Sequence, residues 1–226
     1  PIASAVRAGL ALCVFVLLAG LLPLVGAAWR GTPIAPLLKF PPTTGAIVAP
    51  GFSGPTFIVL ALLIAAALAP FGWRWWRAAR TSTATAHAFP WWGWMGMLVI
   101  ILGWVIAWTR LPSLAEFQRY SFTPLWLGYI LAMNALSYRR TGHCLLRDRP
   151  LYLAALFPVS AVFWWYFEYL NRFVRNWYYE GVDALSAGEY VLEASLPFAT
   201  VLPAVLSTVE WLASYPRGNN AFAHWR

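Results

Sequence analysis

Six mostly apolar runs divide the chain, at Ala5–Trp29, Phe57–Trp76, Trp92–Thr109, Phe122–Tyr138, Leu151–Asn171 and Tyr190–Leu212. Each is close to the ~20 residues that a helix needs to cross about 30 Å of hydrocarbon. Within lipid every backbone N–H and C=O must find a partner inside the protein, so such runs fold as helices. The expected fold is therefore all-α: a polytopic membrane helix bundle of six transmembrane helices, one domain over residues 1–226. Composition agrees, because 61% of the residues are hydrophobic and 11% charged. A soluble domain has roughly 45–50% and 25%. The first run has an uncharged stretch, Ala8–Trp29, that exceeds the 7–15 apolar residues of a signal peptide. It reads as a retained span.

Sixteen basic residues stand against eight acidic ones. They sit in short loops between apolar runs, where arginine orients helices, so nucleic acid is not an expected partner. With six spans, the side holding both termini carries Arg7, Arg74, Arg77, Arg80, Arg139, Arg140, Arg147, Arg149, Arg217 and Arg226, with Asp148 the acid among them. The other side mixes Arg30, Lys39, Arg110, Arg119, Arg172 and Arg175 with Glu116, Glu180, Asp183 and Glu189. Positive charge marks the cytoplasmic face. The expected location is thus a plasma membrane, such as a bacterial inner membrane, with both termini cytoplasmic. Tryptophans such as Trp73, Trp75, Trp76, Trp91 and Trp94 fall at span ends, where indoles anchor to headgroups.

The outer loop of residues 31–55 contains six prolines, which forbid a regular helix or central strand. Its apolar residues, Leu37, Leu38, Phe40, Ile47, Val48 and Phe52, point to a cap packed across the helix ends or to a lid over a site.

Polar residues are embedded in "FWWYFEYLNRFVRNWYY", residues 163–179. On a helix, Asn171, Arg175 and Arg172 fall about −60°, −20° and +40° from Glu168, so the four share one arc beside Trp164 and Trp165. Glu168 and Arg172 are also spaced i,i+4 for an ion pair. Glu193 and Thr200 on the sixth run, where Pro197 and Pro203 free carbonyls, are expected to face this arc. Two readings stay open. The seam is a structural clasp in which Glu168 and Glu193 pair with Arg172 and Arg175, or it is an intramembrane site. In the second case Glu168 or Glu193 is a general acid, Trp164 and Trp165 stabilise a carbocation, and the arginines hold a headgroup phosphate.

Two further polar residues have simpler expectations: Asn134 an interhelical hydrogen bond and Glu210 an ion pair with Arg217. The basic segment Arg139–Pro150 supplies Arg139, Arg140, Arg147 and Arg149 for anionic lipid or an acidic partner. His87, His143 and His224 all lie outside the runs, so no haem held by membrane histidines is expected. Cys13 and Cys144 form no metal or disulfide pattern. There is no phosphate-binding glycine loop and no nucleophile elbow. No cofactor and no metal are expected. The leading reading is a non-redox polytopic subunit or accessory protein, touching lipid and other membrane subunits through aromatic faces. An enzyme acting on a lipid or isoprenoid, and a small-solute transporter, are the alternatives.

Overall fold

The computed structural model describes residues 2–42, 51–80, 87–109, 111–179, 182 and 184–223. Residues 43–50 of the Pro-rich loop lie outside them, as do Arg110, Glu180, Asp183, His224 and Arg226. Every regular element among the described residues is a helix. Besides a 3-10 turn at Pro112–Leu114, they are in chain order α1 (Ile2–Trp29), α2 (Ile34–Leu38), α3 (Gly54–Arg80), α4 (Trp91–Trp108), α5 (Ala115–Gln118), α6 (Phe122–Thr141), α7 (Leu145–Asp148), α8 (Pro150–Val174), α9 (Ala187–Ala213) and α10 (Pro216–Asn220). The protein is all-α with several long apolar helices. Among the described residues, Gly9–Trp29 of α1 together with α3, α4, α8 and α9 are long and apolar enough to cross a membrane. α6 has 20 residues but carries Asn134, Ser137, Arg139 and Arg140, and it does not join that set.

Two element bounds correct the sequence reading. The helix of the fourth run, α6, begins at Phe122 and extends through Arg139 and Arg140 to Thr141. Those arginines thus lie in the last helical turn, where a cation complements the helix dipole, and not in a hairpin. Gly142 then stops the helix in the left-handed conformation (φ 77°), its N–H donating to the Tyr138 carbonyl at 2.7 Å. The outer loop also contains one short helix, α2, across Pro36.

The chain forms two compact units. The first contains residues Pro1–Val48 and Trp164–Glu193, the second Ala49–Phe163 and Ala194–Arg226. In the second unit α4 lies against α6 through glycine. Gly93, Gly96 and Gly103 of α4 are buried, and a Cβ built on Gly96 would stand 2.8 Å from the Gly128 carbonyl oxygen. Small residues let helix backbones approach this closely, which is how helices gain packing energy in lipid. Ile130, Leu145, Leu153, Leu156 and Ala204 form the buried core beside this contact.

Polar side chains stitch the same unit. Asn134 Nδ2 donates to the Ile130 carbonyl (2.8 Å) and to Ser207 Oγ (2.9 Å), and its Oδ1 accepts the Leu146 N–H (2.9 Å). The expected interhelical bond is therefore present, and it extends to α7. Ser160 donates to the Phe198 carbonyl (2.5 Å) and accepts the Leu202 N–H (3.0 Å). Its hydroxyl thus bonds two backbone groups of α9 one helical turn apart, ahead of Pro203. The Glu210 carboxylate accepts the Leu145 N–H at 2.7 Å, holding the start of α7.

Replacing Gly96 by Leu forces a side chain into the Gly128 carbonyl. The expected cost is about 1–3 kcal/mol of overpacking. Thermal unfolding in detergent checks it, with Gly9→Leu, where a Cβ meets nothing within 4 Å, as the neutral comparison.

Candidate functional site: a buried carboxylate in the first unit

The polar seam lies at the end of α8, and most of its geometry follows from where that helix stops. Arg175 is the first residue past α8 and takes a left-handed φ of 52°, with its N–H on the Asn171 carbonyl at 2.7 Å. A left-handed residue reverses the chain, a conformation that costs a non-glycine residue energy and therefore needs local support. Asn171 provides it. Its side-chain oxygen accepts the N–H groups of Asn176 (2.8 Å) and Trp177 (3.3 Å), and its Nδ2 donates to the Trp177 carbonyl (2.8 Å). Asn171 is fully buried, so these bonds form without competition from solvent.

The reversal carries residues 177–179 back onto Glu168. Trp177 Nε1 and the Tyr179 hydroxyl each donate to Glu168 Oε2 at 3.2 Å, and the Tyr190 hydroxyl of α9 donates to Oε1 at 3.2 Å. The carboxylate is 1% exposed. Burial, and then the Glu168 charge beside it, push the Tyr179 hydroxyl pKa well above the usual tyrosine value, so Tyr179 stays protonated and continues to donate. An ionised carboxylate is an acceptor only, and all three groups turned on it can donate. This is a complete hydrogen-bond cradle built from neutral side chains.

Arg172 does not pair with Glu168 as its spacing suggested. Its Nη1 donates to the Leu37 carbonyl of α2 at 3.0 Å, and its guanidinium lies 5.9 Å from the Phe40 ring. Phe40 packs in turn on Trp165 (6.1 Å) and edge-on to Tyr190 (5.6 Å), while Trp165 meets Tyr190 at 5.9 Å. The described part of the Pro-rich loop thus rests on the cradle, as a cap would. Trp164 contacts Phe167 at 5.8 Å. Tyr166 and Tyr169 tie this end of α8 to α1 by donating to the Ala19 and Gly20 carbonyls. Pro23, lacking an N–H, leaves the Ala19 carbonyl without its helical donor, and Tyr166 takes that place.

Arg175, Glu193 and Thr200 are the remaining expected members of the seam. Arg175 is exposed and no longer on the helical arc, because α8 ends before it. Glu193 is half-buried one turn along α9 from Tyr190; Tyr190 is the residue of α9 that reaches Glu168. Thr200 is buried in the second unit and donates to the Pro197 carbonyl of its own helix (2.7 Å). The sequence reading missed Trp177, Tyr179 and Tyr190. It continued the helix past Val174, and no glycine marks the stop.

The basic segment is partly occupied by its own chain. The Arg140 guanidinium lies 3.5 Å from the Tyr215 ring centre, and its Nε donates to the Ser214 carbonyl (3.2 Å). Arg147 donates to the Tyr138 hydroxyl (2.8 Å), and Arg149 lies 6.0 Å from the Tyr152 ring. Arg139, Arg147 and Arg149 are exposed. Asp148 accepts from the Cys144 N–H and contacts His143 Nδ1, while burial pushes the Cys144 thiol pKa up. Among the described residues no group of three His, Cys, Asp or Glu side chains could share a metal.

Comparison of the chain with protein-family models, curated proteins and solved structures finds no match. The chemistry of the cradle is therefore read from its own atoms.

Asn171→Ala removes all three anchors of the reversal. The expected loss is about 2–3 kcal/mol, from net hydrogen-bond contributions of roughly 0.5–1.5 kcal/mol each. Unfolding in detergent measures it, and chymotrypsin is expected to cleave faster after Trp177 and Tyr179. Unchanged stability and cleavage would show that the turn stands without Asn171.

Proposed function

We propose that this protein is a polytopic subunit or accessory protein of a membrane complex, and that its polar seam holds the fold together. The observation that carries this reading is the Glu168 cradle. Trp177, Tyr179 and Tyr190 all aim donors at one buried carboxylate, Asn171 fixes the turn that brings two of them there, and α2 with Phe40 covers the arrangement. A general acid needs access to its substrate and a proton to give. Glu168 lacks that access, being 1% exposed with both carboxylate oxygens engaged by donors.

The outward surface supports the same reading. The span windows of α1 and α3 have none of their residues buried within the protein. Their large side chains, such as Leu10, Phe15, Leu17, Phe57, Leu62 and Leu63, are exposed on every side and suit lipid or the apolar face of a neighbouring helix. We take α6 as the sixth span, its polar residues facing α7 and α9, and place the arginine-rich ends in the cytoplasm of a plasma membrane.

Gentle purification from native membranes, followed by mass spectrometry of what stays bound, tests the proposal. The expected result is one or more membrane proteins in fixed stoichiometry, with Glu168→Gln weakening their retention. A solitary protein carrying one enriched isoprenoid would overturn the reading and make the cradle a carrier or reaction site.

A further inference from the structure

We propose that α3 carries a binding site for an anionic phospholipid, with one acyl chain along its alanine face and the headgroup phosphate on Arg77. The site lies wholly in the second unit, far in sequence from the basic segment Arg139–Arg149, and it is independent of the Glu168 cradle.

Two clefts share Trp73 as a common wall. One, of about 780 Å³, is lined by Ala66, Ala69, Pro70 and Gly72 together with Trp73 and Trp76. The other, of about 610 Å³, is lined by Arg74, Arg77 and Asn220 beside Trp73. At 100° per residue, Ala66, Ala69, Pro70, Trp73 and Arg77 fall within about 100° of one another around the helix, and they span roughly 16 Å of its length. A single stripe thus runs from small apolar residues, past an indole, to a guanidinium. That sequence of surfaces matches acyl chain, interface and phosphate in order.

Two of the three cations at the basic end are engaged by their own chain. Arg74 donates to the Ala221 carbonyl (2.7 Å) and lies 5.8 Å from the Phe222 ring. Arg80 stacks 4.4 Å over Trp76. Arg77 is exposed, with no hydrogen bond, ion pair or ring contact to any described residue, and no described acid lines either cleft. A phosphodiester placed there meets the Arg77 guanidinium. Asn220 adds an amide that suits a hydroxylated headgroup. Free phosphate would leave the apolar cleft empty, and a purely apolar partner helix would leave Arg77 without a counter-charge. A lipid with a negative headgroup satisfies both ends.

Native mass spectrometry of the detergent-purified protein, titrated with phosphatidylglycerol or with phosphatidylcholine of the same chains, tests the proposal. The expected result is preferential retention of phosphatidylglycerol, reduced about fivefold by Arg77→Gln, the weight of one arginine–headgroup attraction. Ala69→Trp, which fills the apolar cleft, is expected to reduce it comparably. Inorganic phosphate at millimolar concentration should not displace the lipid. Melting temperatures matching the parent verify that these exposed substitutions leave the fold intact. Equal retention of the two lipids overturns the proposal, as does full retention by Arg77→Gln. Loss with Arg77→Gln but not Ala69→Trp, or displacement by free phosphate, reduces the site to an anion contact and equally overturns it.

Discussion

In hydrocarbon an unmade hydrogen bond has no water to replace it, and this shapes each part of the molecule more than apolar packing does. Lipid tails are as apolar as leucine, so apolar contact alone gives these helices little reason to choose one neighbour over another. The choices are made where a polar group needs a partner. Pro23 strips the Ala19 carbonyl of its helical donor, and Tyr166 from α8 replaces it. Asn134 spends its amide on α6 itself, Ser207 and Leu146, thereby fixing three elements at once.

The Glu168 cradle is the strongest case. A charge beneath the surface of a bundle is costly unless fully hydrogen-bonded. Here the donors are an indole and two phenols, side chains that also present large apolar surfaces to their surroundings. The aromatic richness of residues 163–179 therefore has two functions, one on the outer surface and one facing the carboxylate. Arginine, the partner that helical spacing offered first, is used instead to fasten the Leu37 carbonyl and to lie against Phe40.

How much of this was legible in the sequence depended on range. The long helices follow from run length, because satisfying the backbone in lipid leaves no alternative. The importance of Glu168 and Asn171 was visible as charge and amide in an apolar run, and Asn134 likewise as a lone amide. What escaped was the stop at Arg175. A non-glycine left-handed residue has no sequence signature, and extending the helix by one residue placed Arg175 on an arc it does not occupy. Trp177, Tyr179 and Tyr190 were hidden for the same reason, since their roles exist only after the chain turns back. The close approach of α4 and α6 was encoded in Gly93, Gly96 and Gly103, whose helical spacing could have revealed it.

The Ser160 hydroxyl leaves α9 mechanically unusual. Ser160 of α8 bonds both the Phe198 carbonyl and the Leu202 N–H, backbone groups of α9 one helical turn apart. Sliding α8 along its axis, or rotating it, would pull on the backbone of its neighbour. The two helices therefore share a tensile element at this depth. Bending stiffness in α9 is set in part by the position of α8, and a displacement of one is transmitted to the other without passing through either loop.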